Sequence, residues 1–218
     1  MTHPDRPLSR SMLREQLKEK ILQRIVDREY EPGERVVESR LMKEYGVSQA
    51  PIREALRDLE AMRFVESQPH RGVRVRLISQ KEMGEMYPVR AALEEVAGRT
   101  AASLITDETL GLLEGEIDAM RSAAAQGDLH GQLVHDARFH ELIFEAAENS
   151  LLLEVWRSLH AEIRALITYT RLRTDLSTIV DSHLPILQAL RLRDPGLAGK
   201  EMRDHIEHFG SLAMGDAD

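Results

Sequence analysis

Apolar positions four apart open the chain: Leu13, Leu17, Ile21 and Ile25 repeat, with Leu22 and Val26 widening the stripe. That period predicts an amphipathic helix from Ser11 to near Tyr30, where Pro32-Gly33 punctuates it. A second, shorter helix fits Glu38 to Tyr45 with Leu41 and Met42 inward, and Gly46 supplies the left-handed residue that closes it. Ser48 is placed as the N-cap of a third helix running to about Met62, with Ile52, Ala55, Leu56 and Leu59 inward. Phe64-Val65-Glu66 and Val73 to Leu77 then read as two strands about a turn at His70-Arg71-Gly72, the second alternating apolar and basic side chains.

From Ser79 the period is helical to the end. Met83, Met86, Arg90, Leu93, Ala97, Ala101 and Leu104 mark one long helix, which Pro88 must kink or in effect begin. Thr106 or Asp107 caps the next, which carries Leu110, Leu113, Ile117 and Met120 and closes near Gly127. Two more are expected over 128–147 and 149–172, the latter with Leu152, Val155, Trp156, Leu159, Ile163 and Leu166. Asp194-Pro195-Gly196 separates a last pair over about 181–192 and 197–213. The expected fold is mainly α. A flexible polar tail (1–10) precedes a helix-turn-helix with a hairpin (11–78), joined near Ser79 to an all-α six-helix bundle (79–218) whose interior can host a ligand.

Composition agrees with a helical protein. Aromatics make up 4% of the 218 residues, too few for a sheet-rich sandwich, and 42% apolar with 30% charged is the balance of an ordinary soluble chain. There is no cysteine, which excludes disulfides and thiolate metal sites and fits a reducing cytoplasm. No run approaches the ~18 apolar residues of a membrane span, and MTHPDRPLSR lacks the apolar stretch of a signal peptide. A net charge of −8 argues at first against nucleic acid. The charge is unevenly spread, however. Residues 1–78 hold 16 Lys and Arg against 13 Asp and Glu, a balance of +3, and residues 79–218 hold 13 against 24, a balance of −11. A mildly basic half and a strongly acidic half imply two domains with different partners. An acidic second domain also discourages stray phosphate contact, confining nucleic acid to the first.

Helix, short helix, tight turn, helix and hairpin is the outline of a winged helix-turn-helix. In that arrangement the third helix enters the major groove with its first residues on base edges, and the wing meets phosphate or minor groove. The first turn here reads Ser48-Gln49-Ala50-Pro51-Ile52-Arg53. Small side chains permit close approach, the free amides at the helix start can bind a phosphate, and Gln49 and Arg53 can reach bases. The same pattern also occurs on a solvated helix where Ser48 is merely a cap. In the acidic half, Asp136 and His140 are four apart and project from one helix face, about one turn (~5.4 Å) apart. His183 sits at the start of the next-to-last helix and His205 in the last. One oxygen and three nitrogens converging in a bundle would suit Zn²⁺, Ni²⁺ or Mn²⁺, with positions open for water or a carboxylate. Asp and His are equally at home on solvated helix faces, and His135, His160 and His208 compete as ligands.

The stretch PGERVVESRLMKEYGVSQAPIREALRDLEAMRFVESQPHRGVRV resembles the N-terminal domain of the GntR superfamily of bacterial transcription regulators. Pro32-Gly33, Gly46-Val47-Ser48, Pro51 to Leu56, Leu59 and Arg71-Gly72-Val73 carry the likeness, which covers essentially all of residues 13–78. Two positions depart from it. The family usually has Arg where Gln49 stands, and Gln prefers adenine to guanine, so the operator differs accordingly. It usually has Gly where Arg63 follows the recognition helix, though an Arg there can meet the helix dipole. The resemblance implies DNA contacts from Ser48, Gln49, Ala50 and Arg53 and from the wing turn Arg71-Gly72.

Tyr87, Arg90 and Leu93-Glu94, then Asp136, Phe139-His140 and Asn149, then His183, Ile186 and Ala189-Leu190, then Met202 and His205-Ile206 resemble the FCD (FadR C-terminal) effector domain over residues 80–213, in its shorter VanR-like form. That likeness implies Asp136, His140, His183 and His205 as ligands of a divalent cation, Zn²⁺ favoured. It also implies a small organic acid as effector, its carboxylate on the metal. Arg90 matches a position that often faces the pocket; a bond to the effector competes there with a salt bridge to Glu94, one turn away. Arg164, Tyr169 and Arg171 are further lining candidates, whereas Trp156 and the methionines read as core. Together these features imply a cytoplasmic, homodimeric, ligand-responsive regulator, most often a repressor in this family, that reads a palindromic operator and is not an enzyme. Two other classes compete: a metal-dependent hydrolase with an accessory N-terminal module, for which no unassigned acid is placed as general base, and a direct metal sensor.

Overall fold

The computed structural model describes residues 10–27, 29–68, 71–77, 79–159 and 175–214. They fall in two compact units, Met1–Leu77 and Ile78–Asp218. The tail expectation lies outside the described residues, except that Arg10 already begins the first helix.

In the first unit the four-residue stripe forms α1 (Arg10–Val26), whose Leu17, Ile21, Leu22, Ile25 and Val26 are all buried. α2 (Glu38–Tyr45) closes on Gly46 at φ 65, whose N–H reaches Met42 O. α3 (Gln49–Ala61) buries Ile52, Ala55, Leu56 and Leu59, as the spacing requires. Ser48 occupies the N-cap in an extended conformation, but its side chain makes no capping bond there. Arg63, where the family places glycine, adopts φ 57, a left-handed conformation that strains a side chain with a Cβ.

The hairpin is present as β2 (Val65–Gln68) and β3 (Gly72–Val75), paired antiparallel with Val65 opposite Val75. A third strand was not anticipated. Arg35–Val36 (β1) pairs antiparallel with β3, giving the order β1-β3-β2. Two residues are too few to show alternation, so only the pairing reveals them. Val36 and Val75 enter the core together.

The second unit is all helical among the described residues. α4 (Gln80–Leu104) starts at a capping box: Ser79 Oγ accepts from Glu82 N at 3.2 Å, and Glu82 Oε2 accepts from Ser79 N at 2.9 Å. Pro88 therefore lies inside α4 and does not begin it; its ring is solvent-exposed. α5 (Asp107–Gln126) is capped by Thr106 and closed by Gly127 at φ 68. α6 (Leu129–Ala146) is capped by Asp128, and residues 150–159 form α7 as far as that helix is described. The helix expected over 181–192 is α9 (Leu184–Arg191), and a short helix that was not expected, α8 (Leu176–Asp181), precedes it among the described residues. α10 (Pro195–Met214) follows. Aliphatic side chains of α4, α5, α6, α9 and α10 surround buried Phe139, Phe144 and Trp156.

α4 and α10 lie close because glycine stands where they cross. A Cβ on Gly98 would sit 2.7 Å from Ala198 O and 2.7 Å from Met202 Cγ, and one on Gly210 would meet the Tyr87 ring at 2.8 Å. This seam seats His205 of α10 against the interior of the bundle.

Candidate functional site

Ser48, Gln49, Ala50 and Arg53 are all exposed at the start of α3, while the opposite face of that helix is core. Arg71 and Gly72 are exposed at the wing, Gly72 at φ 80, where L side chains are rarely found. A groove of about 270 Å³ runs between these elements, lined by Glu38, Arg53, Arg57, Gln68 and Gly72 among others. Glu38, at the first turn of α2, was not anticipated. Its carboxylate accepts Gln49 Nε2 at 2.7 Å and Arg53 Nε at 3.0 Å, so one acid orients both base-reading candidates.

The second constellation is buried. α6 brings Gln132, Asp136 and His140 to its inner face at four-residue spacing; His183 stands at the N-cap of α9, and His205 points in from α10. One ring nitrogen from each of His140, His183 and His205 lies within 4.8 Å of the others. Asp136 Oδ1 is 3.4 Å from His183 Nε2, so the fourth expected ligand adjoins the group. Of the competitors, His135 is engaged at the surface with Glu116 Oε2 at 2.8 Å and His208 is exposed. His160, Arg164, Tyr169 and Arg171 lie outside the described residues.

Two of the rings are oriented by their far nitrogens. His140 Nδ1 lies 3.0 Å from Glu94 Oε2 and His183 Nδ1 lies 2.8 Å from Ile179 O. Both acceptors lack a proton, so each Nδ1 carries one, and in the neutral ring each Nε2 is the atom with a free lone pair. His140 Nε2, His183 Nε2 and His205 Nδ1 are buried with no hydrogen-bond partner among the described residues. A buried unsatisfied nitrogen costs about 1–3 kcal/mol. Three such nitrogens beside a carboxylate are the donor set a divalent cation would satisfy. The edges of Phe139 and Phe209 wall the rings in.

Glu94 and Arg90 complete the buried polar cluster. Burial alone would raise the Glu94 carboxyl, but facing His140 and Arg90 and accepting from Trp156 outweigh it, bringing it down to about 2. Arg90 Nε is 3.2 Å from Glu94 Oε1, so the one-turn salt bridge is present.

His205 carries a pH signature. Burial pushes its imidazole well below 6.5, and His183 and His140 push the same way. Without metal, the unfolded chain takes up this proton near its ordinary value while the folded chain resists it. Stability is therefore fully present above about pH 6.5 and falls as pH drops toward the depressed folded value, by at most ~1.4 kcal/mol per pH unit. Denaturant melts of chelator-treated protein between about pH 7.5 and 5 are expected to show that decline. His205→Gln should flatten it; an unchanged decline in the variant would contradict the assignment.

Comparison with known proteins identifies the family. Residues 13–75 match "Bacterial regulatory proteins, gntR family" and residues 85–208 match the FCD domain. The chain is 33% identical over 202 residues to a probable D-xylose utilization operon transcriptional repressor of Paenarthrobacter nicotinovorans, covering 93% of this chain and 89% of the relative. It is 26% identical to the gluconate operon transcriptional repressor of Bacillus licheniformis over 95% of this chain and 87% of that one. The fold is similar to that of a transcriptional regulator GntR from Rhodococcus sp. RHA1, with a TM-score of 0.77 at 22% identity over 94% of this chain and 99% of the other. These families and relatives are transcriptional regulators and not enzymes, which sets the hydrolase reading aside. The chain belongs to the GntR family of bacterial transcriptional regulators, in the branch whose C-terminal half is an FCD domain.

Proposed function

We propose that this regulator represses transcription as a homodimer on a palindromic operator in the bacterial cytoplasm. Residues 11–78 read DNA through Ser48, Gln49, Ala50, Arg53, Arg71 and Gly72. Residues 79–218 bind a small carboxylate at a divalent cation, Zn²⁺ ahead of Ni²⁺ and Mn²⁺, held by Asp136, His140, His183 and His205. The observation that carries the effector half is the set of three buried imidazole nitrogens beside Asp136 that have no hydrogen-bond partner among the described residues. A cation there would supply a Lewis-acid anchor for the effector's carboxylate, and the family likeness adds Arg90, Arg164 and Tyr169 as the effector contacts to test. Effector binding then shifts the population of DNA-competent states, and by reciprocity DNA shifts effector affinity. Relatives named for xylose and gluconate operons make sugar acids the first carboxylates to test.

Operator affinity is measured by anisotropy while Zn²⁺ and candidate acids are titrated, with and without chelator. A response to acid that requires metal supports the reading. A response to metal alone favours a metal sensor, and no preference for any palindrome near the gene overturns the DNA half.

Glu38 gives this reading a second handle. On DNA its carboxylate stands among phosphates while holding Gln49 and Arg53 in register. Glu38→Gln is expected to raise affinity for duplexes of any sequence, steepen the salt slope by about one, and shrink the gap between operator and scrambled DNA. An unaltered salt slope would remove the start of α3 from the phosphate side of the interface.

A further inference from the structure

Glu94 of α4 stands outside the ligand set, yet it is fully buried and receives donors from three helices. Arg90 Nε, one turn earlier on α4, meets Oε1 at 3.2 Å, and Trp156 Nε1 of α7 meets the same oxygen at 2.9 Å. The other oxygen, Oε2, faces His140 Nδ1 of α6 at 3.0 Å. Arg90 alone would neutralise the charge, so a purely structural ion pair leaves the engagement of His140 unexplained. That engagement has a chemical result: an ionised carboxylate only accepts, so it fixes the His140 tautomer with Nε2 unprotonated, and that atom has no other partner among the described residues.

We propose that Glu94 is the positioning residue of the His140 ligand and links occupancy of the cation site to Trp156 in α7. The proposal rests on the cation reading given above. With Nε2 coordinated, the Nδ1–H of His140 becomes a stronger donor and Oε2 takes more of the carboxylate's charge. Oε1 is then a weaker acceptor for the indole N–H. The chain has a single tryptophan, so one indole N–H resonance reports this bond without interference. Trp156 also stacks on Phe144 with centroids 4.7 Å apart, which holds the ring in place while its hydrogen bond changes.

Glu94→Gln is the informative substitution because it preserves size. Its amide oxygen can keep Arg90 and Trp156, but its NH₂ then faces His140 and favours the opposite tautomer, with Nε2 protonated and its lone pair lost to the site. The test uses chelator-stripped full-length protein with Zn²⁺ alone as the probe. Competition titration is expected to find Glu94→Gln weaker by about 10- to 100-fold. Trp156→Phe loses a donor to the same carboxylate but not the His140 bond, and should bind nearly as the wild type does. The indole N–H of the wild type should shift on saturation with Zn²⁺, and that of Glu94→Gln should not.

Equal affinity in Glu94→Gln and wild type would overturn the positioning role, as would an equal loss in Trp156→Phe, which would indicate packing. An unmoved indole resonance in saturated wild type would overturn the link to α7. If Glu94→Gln fails to fold, the ¹⁵N spectrum of wild-type His140 decides: Nδ1–H supports the proposal and Nε2–H overturns it. Failure of the wild type to bind Zn²⁺ is a separate result that removes the cation reading, and this proposal with it.

Discussion

His183→Ala is expected to weaken Zn²⁺ binding about 100-fold or more while the protein remains folded. Structural zinc contributes about 10–16 kcal/mol through its donors, so one imidazole of a four-donor set accounts for about 3 kcal/mol. The fold has less to lose. Ile179 O, which His183 Nδ1 meets at 2.8 Å, also accepts Ser182 Oγ at 2.6 Å and is not orphaned by the substitution. The remaining cost is the cavity beside Phe139, whose ring centroid lies 4.8 Å from that of His183. Metal content after dialysis and a competition titration measure the effect. In the wild type a chelator should lower the melting temperature, because metal bound only by the folded state stabilises it, and in His183→Ala that response should vanish. Unchanged metal content in the variant would remove His183 from the site.

The second large effect is on the fold itself. Gly98→Val should destabilise the protein by about 3 kcal/mol or more, because a Cβ there lands 2.7 Å from a backbone oxygen of α10 that has no rotamer to change. Relief requires α10 to move away from α4, and α10 carries His205 while α4 carries Glu94. Weaker Zn²⁺ binding should accompany the lower stability. Gly115→Ala is the control: it is exposed in α5, a Cβ there meets nothing within 4 Å, and alanine should stabilise that helix by up to ~1 kcal/mol. Denaturant melts of the two variants are expected to move in opposite directions. A neutral Gly98→Val would mean that the seam between α4 and α10 is looser than its geometry.

Local periodicity was enough to read most helices and the face each one buries. α1 and α3 follow directly from four-residue spacing, and α5 from spacing and a cap. The candidate ligands were legible in part because Asp136 and His140 share one face of one helix and His183 and His205 stand on the last two, and in part because family likeness singled these histidines out from His135, His160 and His208. In the sequence Glu94 reads only as a motif residue and as a salt-bridge partner for Arg90. A glutamate within a helix reads as solvated; its burial comes from His140, 46 positions along the chain, and Trp156, 62 positions along. Glu38 escaped notice for a similar reason, since its partners belong to the next helix. The break between α8 and α9 carries no glycine at its centre. It became legible only through His183, whose ring nitrogen bonds the preceding helix's Ile179 O.

The donor set described above consists of nitrogen and oxygen alone, in a chain without cysteine. Thiolate sites release their metal when peroxide or disulfide exchange oxidises the sulfur. Imidazole and carboxylate donors do not enter that chemistry. A regulator built on them would keep its cation through an oxidative burst, and its response would follow the supply of metal and metabolite. Oxidants would have to act on it by another route.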